Sequence, residues 1–338
     1  MMNKYILGWQ DSGKNNGGLK AKSDVEYILS KKDFKIIPGP KSKLTKLLYP
    51  YILNYKSKAL ENSVVLIQYP TAKAFQRNAI LRGIRKGKNI KIIFLIHDID
   101  ALRFINDNNQ ENKIKDEINI LNQADGLIVL NDILLKKLEL LGIDKPMVSM
   151  GIWDYLNPVS LKEKVKYEEK VCYAGNLLKA KFLSKYNQKH LLNVFGPNSS
   201  NMSKLVIYHG QFSPNELPAQ LNYNFGLVWD GDSVDTCSGD YGMYLKYNDP
   251  HKVSLYISSG LPVIIWKEAA VAKLIQQHHA GILIESLSEI DKVLSKISQD
   301  DYYQMRMNTL KLARLMRKGY FLDKSVNKLL NLMKVSGE

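Results

Sequence analysis

Short, unbroken apolar runs recur along the chain, and helix-length segments separate them. Runs of that kind predict strands buried on both faces of parallel sheets, since a half-exposed strand would alternate apolar and polar positions. The first series comprises Tyr5–Trp9, Phe34–Pro38, Ser63–Tyr69, Lys91–Ile96, Gly126–Leu130 and Met147–Met150. A second comprises Lys170–Ala174, Leu191–Phe195, Leu205–Tyr208, Phe225–Trp229, the run from Gly260 to Trp266, and Gly281–Ile284. Helices fill the intervals. One runs from the Gly17-Gly18 pair to about Ser30, one from Lys43 to Lys58 with Pro50 as a break or kink, and one lies within Lys73–Lys91. Others start at Asn131 as N-cap, at Pro214 and at Glu268, and helices close the chain. Gly151 to Pro158 has linker character. Two successive βα series predict an α/β protein of two doubly wound, Rossmann-like domains facing across a cleft. The expected divisions are residues 1–155, residues 156–318, and a closing helix at 319–338 that packs back on the first domain.

The stretch from Asn224 to Trp266 concentrates the candidate chemistry. A buried strand is followed by a loop rich in Gly, Asp and Ser, then by Asn248-Asp-Pro-His-Lys252-Val-Ser254. Pro250 suits the first turn of a helix, where a missing N–H costs nothing. Asn248, His251, Lys252 and Ser254 are therefore expected beyond the carboxyl end of a strand, where open α/β sheets bind ligands. A helix N-terminus with an added Lys suits a phosphate or pyrophosphate; the plainer alternative is a surface Lys on a capped helix. Gly18, in the pair before the first helix, would let backbone approach a ligand closely. In the first series the strand Lys91–Ile96 ends in His97-Asp98-Ile99-Asp100, with Arg103 following. Ionisable groups crowded at a strand end are active-site candidates, against the alternative that Asp98 or Asp100 caps the next helix.

Composition narrows the partners. The 338 residues carry a net charge of +15, which favours a nucleotide, a nucleic acid or an anionic membrane surface. No helix-turn-helix, RNA-recognition or zinc signature supports nucleic acid. Lys73–Lys91 holds seven Lys or Arg and no acid, and this helix and the basic Lys43–Lys58 could rest on an anionic bilayer, or else be solvated faces. Cys172 and Cys237 fit neither a disulfide framework nor a metal spacing, which with the absence of a signal-peptide layout points to the cytoplasm, where the protein is peripheral on the membrane if those helices dock. No apolar run approaches the ~20 residues of a membrane span. Asp230-Gly231-Asp232 after an apolar strand could hold a divalent ion, but its place late in the chain favours a polar loop touching substrate hydroxyls.

Several segments resemble a family of bacterial GT-B glycosyltransferases that includes β-1,6-galactofuranosyltransferases and the glucosyltransferases extending N-acetylglucosamine on serine-rich adhesins. They are Leu95-Ile-His-Asp-Ile-Asp100, Tyr173-Ala-Gly-Asn176, Phe225-Gly-Leu-Val-Trp-Asp-Gly-Asp232, Asn248-Asp-Pro-His-Lys-Val-Ser-Leu-Tyr256 and Leu261-Pro-Val-Ile-Ile-Trp266. The loop Asp230–Gly239 and Asn248–Lys252 are nearer the galactofuranosyl branch. The resemblance implies a UDP-sugar donor on the C-terminal domain and a glycan, glycolipid or glycoprotein acceptor on the N-terminal one. It implies that Lys252 meets the pyrophosphate, helped by Lys179 or Lys181 where the glucosyl branch has Arg. Gly18, Asn176, Phe212, Asp230, Asn248, His251 and Ser254 complete the expected donor site. Catalysis is expected to invert the anomeric centre without metal or cofactor, with His97, Asp98 or Asp100 as base and Asp11 behind them. Oligomeric state is left open, a homo-oligomer included. The rival classes are a nucleic-acid binder and a catalytically inactive UDP-sugar-binding partner of another transferase.

Overall fold

The computed structural model describes residues 2–9, 17–40, 42–104 and 109–335. They form two compact units: the described residues of 22–150 with the first strand and residues 321–335, and residues 151–320 with residues 17–21.

The first unit is built on a six-stranded, wholly parallel sheet. Its strands are β1 (Asn3–Gly8), β2 (Phe34–Pro38), β3 (Ser63–Tyr69), β4 (Ile90–Ile96), β5 (Gly126–Val129) and β6 (Met147–Ser149), in the order β2-β1-β3-β4-β5-β6. All seven residues of β3 are buried, as an apolar run without alternation requires. The closing helix Tyr320–Leu332 buries Leu322, Val326, Leu329 and Leu330. Leu329 and Met333 lie against Gly126, where a β-carbon would meet the Met333 sulfur at 2.7 Å, and Lys32 pairs with Asp323 at 2.9 Å. The helix Lys43–Lys56 starts at a Ser42 capping box and runs through Pro50 without ending there, which differs from a break at that position. Its inner face, Tyr49 and Leu53, is buried, and Tyr49 packs edge-on to Trp9, so tertiary packing holds the helix across the lost hydrogen bond.

The second unit repeats the architecture. Its strands are β7 (Val171–Ala174), β8 (Leu192–Phe195), β9 (Val206–Tyr208), β10 (Phe225–Val228), β11 (Val263–Trp266) and β12 (Gly281–Ile284), in the order β12-β11-β10-β7-β8-β9, again parallel. The chain winds outward from β7 through β9, then returns to pair β10 on the other side of β7. A topological switch point therefore lies between β7 and β10.

Two helix starts differ from those the sequence predicts. No helix begins at Pro214: Ser213 and Glu216 bond each other's backbone N–H groups first, and a short helix, Leu217–Gln220, follows with Pro218 in its first turn. The helix expected from Glu268 begins at Ala272. In the helix His251–Ser258, Pro250 is the N-cap rather than a first-turn residue, with extended backbone at φ −66° and ψ 129°. No described helix is long and apolar enough to cross a membrane.

Candidate active site

The switch point between β7 and β10 carries a buried cation. Lys252 sits in the first turn of the helix His251–Ser258, where backbone N–H groups lack intrahelical partners. Its ammonium lies 2.6 Å from Asp230 Oδ1, 2.9 Å from the Tyr173 hydroxyl and 3.4 Å from the Trp229 carbonyl. Tyr173 belongs to β7, while Trp229 and Asp230 directly follow β10. Tyr173 donates in turn to Asp230 Oδ1 at 2.8 Å. Only 10% of the Lys252 side chain and 7% of the Asp230 side chain are exposed. Burial lowers the pKa of Lys252; the Asp230 carboxylate opposes that shift, and the charge of Lys179 adds to it. Burial and then the Asp230 charge push the Tyr173 hydroxyl well above its ordinary value, so it remains a neutral donor.

Packing beneath this cluster is tight. Gly226, in the middle of β10, faces the ring of Tyr256, and any β-carbon there would overlap that ring. Tyr256 is fully buried, and its hydroxyl accepts from the Ala174 N–H at 2.6 Å. The helix carrying Lys252 is thereby fixed to the end of β7. Next along the chain from β7, Gly175 leaves space beside the Lys252 stem, where a β-carbon would be 3.5 Å from Cε. Gly196 follows β8 with φ +145°, and a side chain there would collide with the Gly175 carbonyl. The strand ends near Lys252 thus present backbone rather than side chains.

Beside Lys252 lies a neutral imidazole. His251 packs against Tyr155 at 5.2 Å and Trp153 at 6.4 Å between ring centroids. Burial, then the nearby Lys20 charge, lowers its pKa to about 3. Lys20 stands 4.6 Å from the Tyr155 ring centroid and donates to the Leu156 carbonyl at 3.0 Å. Gly17 approaches the same ring, with 3.8 Å between a β-carbon built there and His251 Nδ1, and Gly18 continues that first helical turn in an exposed position. His251 Nε2 and Asn248 Oδ1 are both buried with no hydrogen-bond partner among the described residues. Buried polar atoms are almost always satisfied, so two orphans three residues apart beside a cationic helix start make this place a candidate ligand site.

The other expected donor residues divide. Lys179 lies over the Tyr241 ring at 5.0 Å, and Lys181 adds its charge near Asp232, whose carboxyl is held low chiefly by the Ser238 hydroxyl. Asn176 caps the turn Leu177–Lys179 by accepting from the Leu178 N–H at 3.1 Å. Phe212 joins an aromatic cluster, 6.1 Å from Phe195 between centroids. Ser254 is buried and donates to the Trp153 carbonyl at 2.9 Å. Two residues along a helix is a turn of about 200°, which carries Ser254 away from Lys252.

In the first unit, β4 delivers His97 and Asp98. His97 Nε2 is 2.9 Å from Gln68 Oε1, and Gln68 Nε2 donates to the Lys22 carbonyl at 3.2 Å. That second bond fixes the amide, so its oxygen faces His97 and accepts from the Nε2–H. Arg103 pairs with Asp98 and, at 3.3 Å, with Asp100. Glu117, which the sequence did not single out, holds this loop: it accepts from the Ala101 N–H at 3.0 Å and from the Tyr69 hydroxyl at 2.7 Å. Burial raises the Glu117 carboxyl above its ordinary value, against those hydrogen bonds. Asp11 lies outside the described residues.

Comparison with known proteins now decides the family. Models of the glucosyltransferase 3-like N-terminal and C-terminal domains match residues 3–152 and 171–329. The chain belongs to the glucosyltransferase 3-like family. It is 32% identical over 329 residues to the β-1,6-galactofuranosyltransferase WbbI of Escherichia coli (strain K12), covering 94% of this chain and 96% of the relative. It is 28% identical over 265 residues to glucosyltransferase 3 of Streptococcus gordonii, covering 77% of each chain. Among solved structures, a sucrose-phosphate synthase from Thermosynechococcus elongatus superposes with a TM-score of 0.64 over 99% of this chain and 100% of that one, at 12% identity. That likeness shows the fold, which is GT-B. Membership makes the protein a glycosyltransferase.

Proposed function

We propose that this glycosyltransferase moves a hexosyl group, galactofuranose in preference, from a UDP-sugar to a glycan acceptor of a cell-surface polysaccharide or glycoprotein. The observation that carries the donor reading is the buried Lys252 ammonium at a helix start on a switch point, beside the unsatisfied Asn248 Oδ1 and His251 Nε2. Three acceptors surround the ammonium, and the Trp229 carbonyl at 3.4 Å is the weakest. A pyrophosphate oxygen would take that place, keep the Asp230 pair intact, and gain the first-turn N–H groups as well. As UDP departs, charge grows on the phosphate that faces Lys252, so the interaction strengthens toward the transition state. Asp230 is engaged by Lys252 and Tyr173 and Asp232 by Ser238, which supports departure of UDP without a divalent ion.

The acceptor reading assigns the first unit the general base. We assign that role to His97, whose ring Gln68 orients at the carboxyl end of β4, whereas Asp98 and Asp100 are paired with Arg103. Proton removal by His97 and attack opposite the departing UDP invert the anomeric centre. The preference for galactofuranose rests on the 32% match to WbbI across 94% of the chain; the second reading, glucosyl transfer onto N-acetylglucosamine of a serine-rich adhesin, rests on the shorter Streptococcus gordonii match. A donor screen with UDP-galactofuranose, UDP-glucose and UDP-galactose, each with and without excess EDTA, separates them. The proposal expects UDP-galactofuranose to be consumed fastest and EDTA to leave the rate unchanged. Preference for UDP-glucose selects the second reading, and activity restored only by Mn²⁺ or Mg²⁺ overturns the metal-free mechanism.

A further inference from the structure

The helix Lys43–Lys56 is apolar on two opposite faces. Tyr49 and Leu53 point inward, and Ser57 and Leu60 continue that line into the following turn; all four are buried. Leu44, Leu47, Leu48, Tyr51 and Tyr55 are exposed, with Leu44 at 66%, Tyr51 at 72% and Tyr55 at 89%. At about 100° per residue, these five positions span an arc of roughly 100° centred opposite the buried line. One exposed leucine needs no explanation, but a stripe of five large apolar side chains along a single helix does.

The neighbouring helix carries a further exposed aromatic. Ala74–Ile84 packs beside Lys43–Lys56, where a β-carbon at Gly83 would be 2.8 Å from the Pro50 carbonyl. Gly87, further along, meets Ser57, so the two helices run in the same direction. Phe75, 77% exposed, therefore lies toward the Leu44 end. Between Lys43 and Leu60, and again from Lys73 to Lys91, the sequence has no Asp or Glu, and the second stretch holds seven Lys or Arg. Lys56, Lys58, Arg82, Lys86 and Lys88 are exposed, while Arg85 is paired with Asp125 at 2.7 Å.

We infer that this face docks on an anionic lipid bilayer, with the Leu and Tyr stripe entering the headgroup boundary and the basic residues meeting lipid phosphates. The charge pattern selects this occupant over a second copy of the chain: symmetric pairing would bring two predominantly cationic borders together, whereas anionic headgroups neutralise one. Exposed tyrosines suit the boundary, with the ring in the acyl region and the hydroxyl in water. The inference concerns a surface of the first unit and stands apart from the choice of donor sugar.

Flotation of the full chain with vesicles tests it. One set is phosphatidylcholine, the other an equimolar mixture with phosphatidylglycerol. The expected result is recovery with the mixed vesicles only, weakened by added salt and reduced by about tenfold or more in Leu47→Glu/Tyr51→Glu, each charge being costly to bury in lipid. Circular dichroism and light scattering on the same variant report fold and oligomeric state. Because both positions are exposed, the variant is expected to keep its fold; Leu47→Ser/Tyr51→Ser, with the same expected loss, replaces it should the glutamates unfold the helix. Equal recovery with both vesicle types, no recovery with either, or a wild-type oligomer that the variant dissolves without any vesicle binding would overturn the inference.

Discussion

The two sheets share an architecture and differ in what their strand ends carry. After β4 in the first unit come partly exposed ionisable groups, His97, Asp98 and Asp100, with Asp98 at 37% and Asp100 at 57% side-chain exposure. Between β7 and β10 in the second unit the ends are glycine-lined, and the Lys252 ammonium that reaches them is buried and held by a carboxylate and a phenol. A group that must exchange a proton with substrate needs access and an adjustable charge. A group that must stay cationic while a diphosphate departs is better fixed in place and shielded from water, where each charge counts for more. On the proposed assignments, the same doubly wound scaffold would carry an open acid–base site and a closed electrostatic one.

Mutations that separate these two behaviours sharpen the contrast. His97→Ala is expected to lower turnover by about 10²–10⁴-fold while leaving UDP affinity nearly unchanged. A loss below about tenfold would move the base to Asp98, Asp100 or Asp11. Gly226→Ala forces a methyl into the Tyr256 ring and is expected to cost about 1–3 kcal/mol in denaturant unfolding, with weaker UDP binding as the Tyr256–Ala174 contact shifts. Unchanged stability and affinity would show that the donor cluster does not depend on this packing.

The smallest expected effect is spectroscopic. His251, with its pKa lowered to about 3, should show no NMR titration from neutral pH down to about pH 4. Its depressed value means that the unfolded chain takes up the proton first, so stability is fully present above pH 6.5 and is lost as pH falls toward 3. His190 has the opposite sign. Burial lowers its pKa, but hydrogen bonds to Glu169 and Asp291, each 2.5 Å away, outweigh that and raise it. The stability from His190 is present below its ordinary pKa and lost as pH rises through the raised one. A His251 resonance titrating near 6.5 would contradict the buried, uncharged ring.

What the sequence disclosed and what it hid have physical causes. Fully buried strands such as Ser63–Tyr69 and Phe225–Val228 were legible because continuous apolar runs of that length leave few alternatives. Lys252 was legible because Pro-His-Lys after a buried strand marks a helix start. Its partners were not: Tyr173 lies 57 residues before Asp230, and only the switch in strand order brings β7 beside β10. Tyr173 also sits inside an apolar run, where a phenol looks like any other core side chain. Glu117 was hidden for a different reason, as its helix reads as largely polar and exposed, and its role arises from Tyr69 and Ala101 in distant segments. The bond from Ser254 to the Trp153 carbonyl was hidden as well, because nearness in sequence to Lys252 is not nearness on a helix.

Calorimetry of UDP binding to Lys252→Ala tests the central claim most directly. A charge-assisted hydrogen bond is worth about 1.5–3 kcal/mol, so the dissociation constant should rise by roughly one to two orders of magnitude. Removing the ammonium also leaves Asp230 buried without its counter-ion, so circular dichroism must accompany the titration. Lys252→Arg, which keeps the charge with a different reach, should recover part of the affinity. A folded Lys252→Ala protein that binds UDP as tightly as the wild type would remove Lys252 from the donor site and contradict the account.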